Sequence, residues 1–325
     1  MDSFSKIPLS VEIARDIVSH HFGAGRKLAA FEELREGFFN AAALLELDDG
    51  LKCVLKAAPP VEVKVLRYEK DLMRAEVESM RLVRQRTQVP VPEVYIYDPT
   101  RRLLPSEFFL MEFVPGVPFH KLRAQLSEEV QLDVRREMGR MTREMAEITG
   151  PAFGYWVQPC PAGVSWRDCF ADMLQGVLQD GLDAQVDLER PYAEIFQILE
   201  RNFAALEEVS TPRLVHWDLW DGNVFVDPQT GRVTGLIDFE RALWADPLME
   251  AIFMHPDPPV PGGPGAEGYG EPLFIEPAQI TRRLLYNAYL YLIMVIECTY
   301  RKYSNQDQEN WTRPRLRELL RRLSA

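Results

Sequence analysis

The run Leu214-Val215-His216-Trp217-Asp218-Leu219-Trp220-Asp221-Gly222-Asn223-Val224-Phe225-Val226 decides how this chain is read. An apolar segment ends at Val215. A short polar loop then presents one histidine, two aspartates and one asparagine, and a second apolar segment starts at Val224. The turn Asp227-Pro228-Gln229-Thr230-Gly231 follows, and Val233 to Ile237 reads as the returning strand. Such a hairpin sets Asp238 beside Asn223, although fifteen residues separate them. A carboxylate and an amide oxygen held together suit Mg²⁺, a hard ion that takes few protein ligands and fills its shell with water or phosphate oxygens. Asp218 is placed to accept a proton from a hydroxyl group, and Gly222 lets the loop turn tightly.

The order His-x-Asp-x4-Asn, followed by a second aspartate, is the pattern of phosphoryl-transfer loops. The first half of the chain supplies a complement. Lys56 ends the apolar run Cys53-Val54-Leu55. A lysine inside a buried strand needs a partner, because an unpaired buried ammonium is costly. The charged amphipathic helix expected over Glu69–Arg86 offers one. At 100° per residue, Leu72, Met73, Val77, Met80 and Val83 form an apolar arc, with Glu76 inside it and Glu78 opposite. A Lys56–Glu76 pair would hold the lysine against nucleotide phosphates. Glu69 lies on the same arc and is the second choice.

Composition narrows the class. The chain has 325 residues, with 37 Lys and Arg against 49 Asp and Glu, a net charge of −12. An acidic balance argues against nucleic acid or an anionic membrane as a partner. The most apolar stretch, Leu284 to Ile296, is too short for the ~20 residues that a bilayer requires. The start, Met1 to Lys6, carries no signal-peptide pattern, and a cytoplasmic protein is expected. Cys53, Cys160, Cys169 and Cys298 show no C-x-x-C pair and read as reduced thiols.

Further elements follow from local pattern. Ser10 to Phe22 reads as a helix, and Phe38–Leu47 with Leu51–Ala57 as a hairpin across Asp48-Asp49-Gly50. Val94–Tyr97 and Phe108–Phe113 read as strands. The pattern changes after Pro115-Gly116, so the chain divides near Val114 into a sheet-rich part and a helical part. Helices are expected over Ser127–Ile148, Asp168–Gln179, Pro191–Leu206 and Ile280–Tyr303. Pro256 to Pro272, rich in proline and glycine, reads as a long surface loop.

Taken in order, Gly37-Phe-Phe39-Asn40-Ala, Val54-Leu-Lys56, Ala75-Glu76, Val89-Pro-Val-Pro-Glu-Val94, Phe109-Leu-Met-Glu112-Phe-Val114-Pro-Gly116, the His216–Asn223 loop, Leu236-Ile-Asp238-Phe239 and Trp244-Ala-Asp-Pro247 resemble the aminoglycoside phosphotransferase family of kinase-like enzymes. The likeness extends over nearly the whole chain. It implies an α+β, bilobal protein-kinase-like fold, with a small antiparallel sheet and one main helix in a nucleotide-binding lobe, residues 1–113. A larger, mostly helical catalytic and acceptor-binding lobe would span 114–325. It implies Asp218 as catalytic base, Asn223 and Asp238 as metal ligands, and Lys56 held by Glu76 on the phosphates. Gly37, Phe39 and Asn40 would cover the phosphates, and the backbone of Glu112 and Val114 would meet the base. The cofactors implied are ATP, or GTP, with Mg²⁺. Asp246 would brace the loop.

Trp217 stands where protein kinases carry the arginine that senses activation-loop phosphate, and Glu240 where they carry the glycine after Asp-Phe. No Ala-Pro-Glu follows. The acceptor expected is therefore a small-molecule alcohol, aminoglycoside-like or otherwise. The alternatives are a metabolic amino-alcohol or sugar kinase, and a catalytically silent nucleotide-binding protein. Asp168, Asp172, Asp180 and Asp183 fit a cationic acceptor or a solvated helix face. His216 reads as a packed structural residue, Asp221 as a loop cap or an acceptor contact, and the stripe Tyr286, Tyr289, Leu290, Ile293, Ile296, Glu297 and Tyr300 as core, with its acidic and phenolic members the alternative lining of an acceptor pocket. The sequence sets no oligomeric state.

Overall fold

The computed structural model describes residues 6–23, 25–34, 39–253, 262–303 and 305–324. Ser10 opens α1 (Val11–Phe22), its side chain accepting from the Ile13 N–H at 3.3 Å. Three antiparallel strands follow: β1 (Leu28–Leu34), β2 (Ala41–Leu47) and β3 (Lys52–Ala57). A short 3₁₀ turn at Arg67–Glu69 precedes α2 (Leu72–Arg86), so the helix expected from Glu69 begins three residues later. Asp71, at φ 57°, breaks the helical path between them. Then β4 (Val94–Asp98) and β5 (Phe108–Glu112) complete a five-stranded sheet in the order β1-β2-β3-β5-β4.

Strand alternation gives this sheet two faces. Leu45, Cys53, Leu55, Phe108 and Leu110 pack with Ala14, Ile17 and Val18 of α1. Val54, Phe109 and Met111 point the other way, into a core shared with Met73, Val77 and Met80 of α2. Lys56 is two residues from Val54 and paired with Phe109, so it shares that second face. This parity aims its ammonium at α2.

The remaining elements are β6 (Val117–Pro118), α3 (Phe119–Leu122), α4 (Glu128–Ala146), β7 (Gly154–Tyr155), β8 (Gln158–Pro159), α5 (Trp166–Asp183), α6 (Tyr192–Glu200), β9 (Arg213–Val215), β10 (Val224–Val226), β11 (Val233–Leu236), β12 (Leu243–Ala245), α7 (Pro264–Tyr269), α8 (Pro277–Arg301) and α9 (Asp307–Leu323). The hairpin read from sequence forms: β10 pairs antiparallel with β11, Val224 opposite Leu236. β6 pairs with β10 on its other edge. The segment between α2 and β4 and the chain leaving β5 both lie close to this hairpin. Leu236 N–H donates to the Pro90 carbonyl at 2.8 Å, and Val114 fills the space beside Gly235, where an added Cβ would stand 2.4 Å from Val114 Cγ1.

Several expectations change. β1 and α9 form where the sequence pattern predicts no element. Residues 254–261 of the expected Pro256–Pro272 loop lie outside the described residues, but 264–269 form α7 rather than loop. Glycines build it in. A Cβ on Gly268 would stand 1.9 Å from the Arg136 carbonyl oxygen, and one on Gly139 2.1 Å from that of Gly265. Small residues let α7 lie directly on α4. The four cysteines are not all thiols either. Cys160 and Cys169 form a disulfide, because the first turn of α5 brings Cys169 back toward Cys160, with Cα atoms 6.0 Å apart. Cys53 and Cys298 are free. Among the described residues, no helix is long and apolar enough to cross a membrane.

Candidate active site

Lys56 reaches α2 as its strand parity requires. Its Nζ donates to both carboxylate oxygens of Glu76, at 2.8 and 2.7 Å. Glu76 is fully buried and Lys56 nearly so. The same ammonium donates to Asp238 Oδ1 at 2.6 Å and lies 3.8 Å from Glu240. Burial works against the charge on Lys56, but the carboxylates of Asp238, Glu76 and Glu240 win and hold its pKa up. Burial would raise Asp238, yet Lys56 keeps it below the usual carboxylate range.

The loop between β9 and β10 places the other groups. Asn223 Nδ2 donates to the Asp218 carbonyl at 2.9 Å and to Asp218 Oδ2 at 3.0 Å. That fixes the amide with its nitrogen toward the base and its oxygen turned away. The hairpin ties Asn223 to the residue before Asp238: Ile237 N–H donates to the Asn223 carbonyl at 3.0 Å. His216 ties the same two segments. Its Nδ1 accepts from the Asp218 N–H at 3.1 Å, which puts the proton on Nε2, 3.0 Å from the Ile237 carbonyl. Burial lowers the His216 pKa and keeps this ring neutral. Burial pushes the Asp218 carboxyl up to about 8; Arg241 opposes that rise, and Asp238 and Glu240 add to it.

Glu250 is the residue that sequence reading missed. It is fully buried. One oxygen accepts from His216 N–H and Trp217 N–H, each at 3.0 Å, and the other from Leu219 N–H at 3.1 Å and Ala251 N–H at 2.9 Å. These bonds shape the loop and hold Trp217 at φ 65°, a region bulky residues seldom enter. Buried Arg283 fixes the next layer by donating to the carbonyls of Leu248 and Glu250, at 2.6 and 2.8 Å. Nothing in Met249-Glu250-Ala251 marks this role; only the burial of an acid reveals it.

The other expected residues fall as follows. Gly37 lies outside the described residues. Phe39 is buried with the Arg301 guanidinium 3.9 Å over its ring, and Asn40 donates to Glu240 at 2.6 Å. The Glu112 N–H donates to the Glu93 carbonyl at 2.8 Å. Asp221 ion-pairs with Arg123 and Arg135, at 3.0 and 2.9 Å, rather than capping the loop. Asp246 caps Leu248 and accepts from the Tyr286 hydroxyl at 2.8 Å. Asp180 and Asp183 are both paired to Arg67.

The donor set fits a hard divalent cation. All the candidate ligands offer oxygen, the Asn223 amide presents its oxygen away from Asp218, and oxygens of Glu76, Asp238 and Glu240 lie within 4.8 Å of one another.

The family model described as the phosphotransferase enzyme family matches residues 30–275. The chain resembles, at 19% identity and a TM-score of 0.67, a thermostable mutant of an aminoglycoside phosphotransferase in ternary complex with ADP and hygromycin B; the alignment covers 96% of this chain and 98% of that one. A GDP complex of an aminoglycoside 2′-phosphotransferase superposes with a TM-score of 0.66 at 17% identity, over 97% of this chain and 98% of that one. Identities this low establish the fold: α+β, bilobal and kinase-like. Among curated proteins, a subtelomeric hrmA-associated cluster protein of Aspergillus fumigatus is 27% identical over 123 residues, 38% of this chain. The match spans only 23% of that relative's length.

Proposed function

We propose, since this chain belongs to the phosphotransferase enzyme family, that it transfers the γ-phosphoryl group of ATP or GTP to a hydroxyl of a small molecule, with Mg²⁺ as cofactor. One observation carries the reading. Lys56 of β3 contacts Asp238 at 2.6 Å, while Asn223, backbone-bonded to the residue before Asp238, holds Asp218 at 3.0 Å. Groups from both halves of the sequence thus gather around one point. Residues 1–113 supply the nucleotide side and 114–325 the acceptor side.

Asp218 orients the acceptor hydroxyl and takes its proton as the new O–P bond forms and the bond to the departing diphosphate breaks. Asn223 keeps that carboxylate in place. Lys56, braced by Glu76, meets the phosphates with positive charge. Asn223 and Asp238 are the residues that would hold the metal ion, which when bound offsets negative charge on the phosphate oxygens. The segment at Phe39 and Asn40 lies over the phosphate side, and the Glu112 carbonyl and Val114 N–H serve the base. Transition states of this reaction are loose, so positioning and electrostatics outweigh base strength.

A coupled assay of nucleoside diphosphate release tests this, run over aminoglycosides, amino alcohols, sugars and nucleosides with and without Mg²⁺. Metal-dependent turnover with a small alcohol is expected. Nucleotide binding without turnover across the whole panel would mean a silent binding protein.

A further inference from the structure

Beside the base lies a buried aromatic group with two unpartnered donors. Trp217 is 1% exposed and Tyr68 4%, yet neither Trp217 Nε1–H nor the Tyr68 hydroxyl has a partner among the described residues. Their rings meet edge to face with centroids 6.2 Å apart. Tyr155 stacks on Tyr68 at 5.1 Å and lies 6.0 Å from Trp217, and Tyr289 stacks on Trp217 at 5.6 Å. The Arg241 guanidinium covers the Trp217 ring at 5.9 Å and pairs with Glu297 at 3.2 Å. Buried donors left unbonded are rare and costly, and two on adjacent rings need a reason. Burial alone is not the reason, because Tyr155 and Tyr289 in the same group bond their hydroxyls to each other.

We propose that Tyr68 and Trp217 are acceptor-binding residues that donate hydrogen bonds to oxygen atoms of the molecule whose hydroxyl Asp218 orients. The proposal rests on the phosphotransferase reading and narrows it. An indole N–H only donates, so its complement is an oxygen and not an ammonium. Arg241 over Trp217 disfavours a cation there, and two of the four acids expected to attract one, Asp180 and Asp183, are already paired to Arg67. The acceptor class that fits is an uncharged, oxygen-rich alcohol, a polyol. Tyr68 rides on the segment between β3 and α2, which Arg67 ties to buried Asp180 and to Asp183, and buried Glu69 ties to Arg301.

Tyr68→Phe removes one oxygen and keeps the stack. In the free protein it is expected to leave the thermal midpoint unchanged or raise it by about 1–3 °C, because that oxygen bonds to none of the described residues. A fall of more than about 3 °C would reveal an internal bond and overturn the proposal. Turnover is then measured with Mg–ATP and four probes: inositol, glucose, hygromycin B and choline. Turnover of a polyol is expected, its KM rising roughly 3–10-fold in Tyr68→Phe and in Trp217→Phe, with kcat and the nucleotide KM within about twofold. A preference for hygromycin B or choline over both polyols overturns the proposal, and so does polyol turnover with KM unmoved in both variants. Failure of all four probes in protein that binds nucleotide counts against the phosphotransferase reading instead, and the Tyr68→Phe midpoint then decides whether the donors are free.

Discussion

Lys56 and Glu250 are both buried charges near the same loop, yet they are satisfied in different ways. Lys56 is balanced by side chains: Glu76 and Asp238 touch it, and Glu240 stands 3.8 Å away. Glu250 is balanced by main chain, through the N–H groups of His216, Trp217, Leu219 and Ala251. Carboxylates around a lysine can rotate, take up a proton or turn to a metal ion. Backbone N–H groups cannot leave without the loop changing shape. The first nest is therefore suited to exchange partners with a ligand, and the second to hold the catalytic loop permanently.

Substitutions can break this contrast. Glu250→Ala is expected to cost about 3–5 kcal/mol of stability in chemical denaturation, since four N–H groups lose the carboxylate that accepts from them. A loss below about 1 kcal/mol would place the support of the loop elsewhere. Asp218→Ala should lower turnover by about 100-fold or more, equivalent to ~2.7 kcal/mol or more, while nucleotide affinity and unfolding stay close to the parent. Retained turnover would remove Asp218 from the base role. Lys56→Met sharpens the comparison. It should raise the nucleotide KM about tenfold and cost about 3–5 kcal/mol of stability, because Glu76 and Asp238 lose the buried ammonium they share. An unmoved nucleotide KM would make the Lys56 nest structural. The smallest effect is expected for Arg123→Ala, under about 1 kcal/mol, because Arg135 still pairs with Asp221 at 2.9 Å.

Much of this site was legible from sequence because its rules are local. A lysine two residues from a core valine must share that valine's face, and a glutamate inside an apolar helical arc must point inward. A turn signal of known length sets Asp238 against Asn223. What stayed hidden depends on contacts between distant segments. Glu250 looks like any acid until the loop it holds is folded over it. Tyr68 and Trp217 are 149 residues apart in sequence, and nothing local pairs them. β1 is exposed or half-buried along its length, so it lacks the clean alternation that marks a strand. α9 carries many charges and Pro314, which speak against a helix until α8 packs on it. The glycines of α7 signal loop in isolation, but beside α4 they are the condition for close packing.

The bond between Leu236 and Pro90, with Val114 lodged at Gly235, has a mechanical consequence. The strand that ends just before Asp238 is fastened to the segment between α2 and β4 and to the chain leaving β5, not only to its own hairpin partner. Any shift of the five-stranded sheet must pull on that strand's tip, and so act as a lever on the carboxylate that grips Lys56.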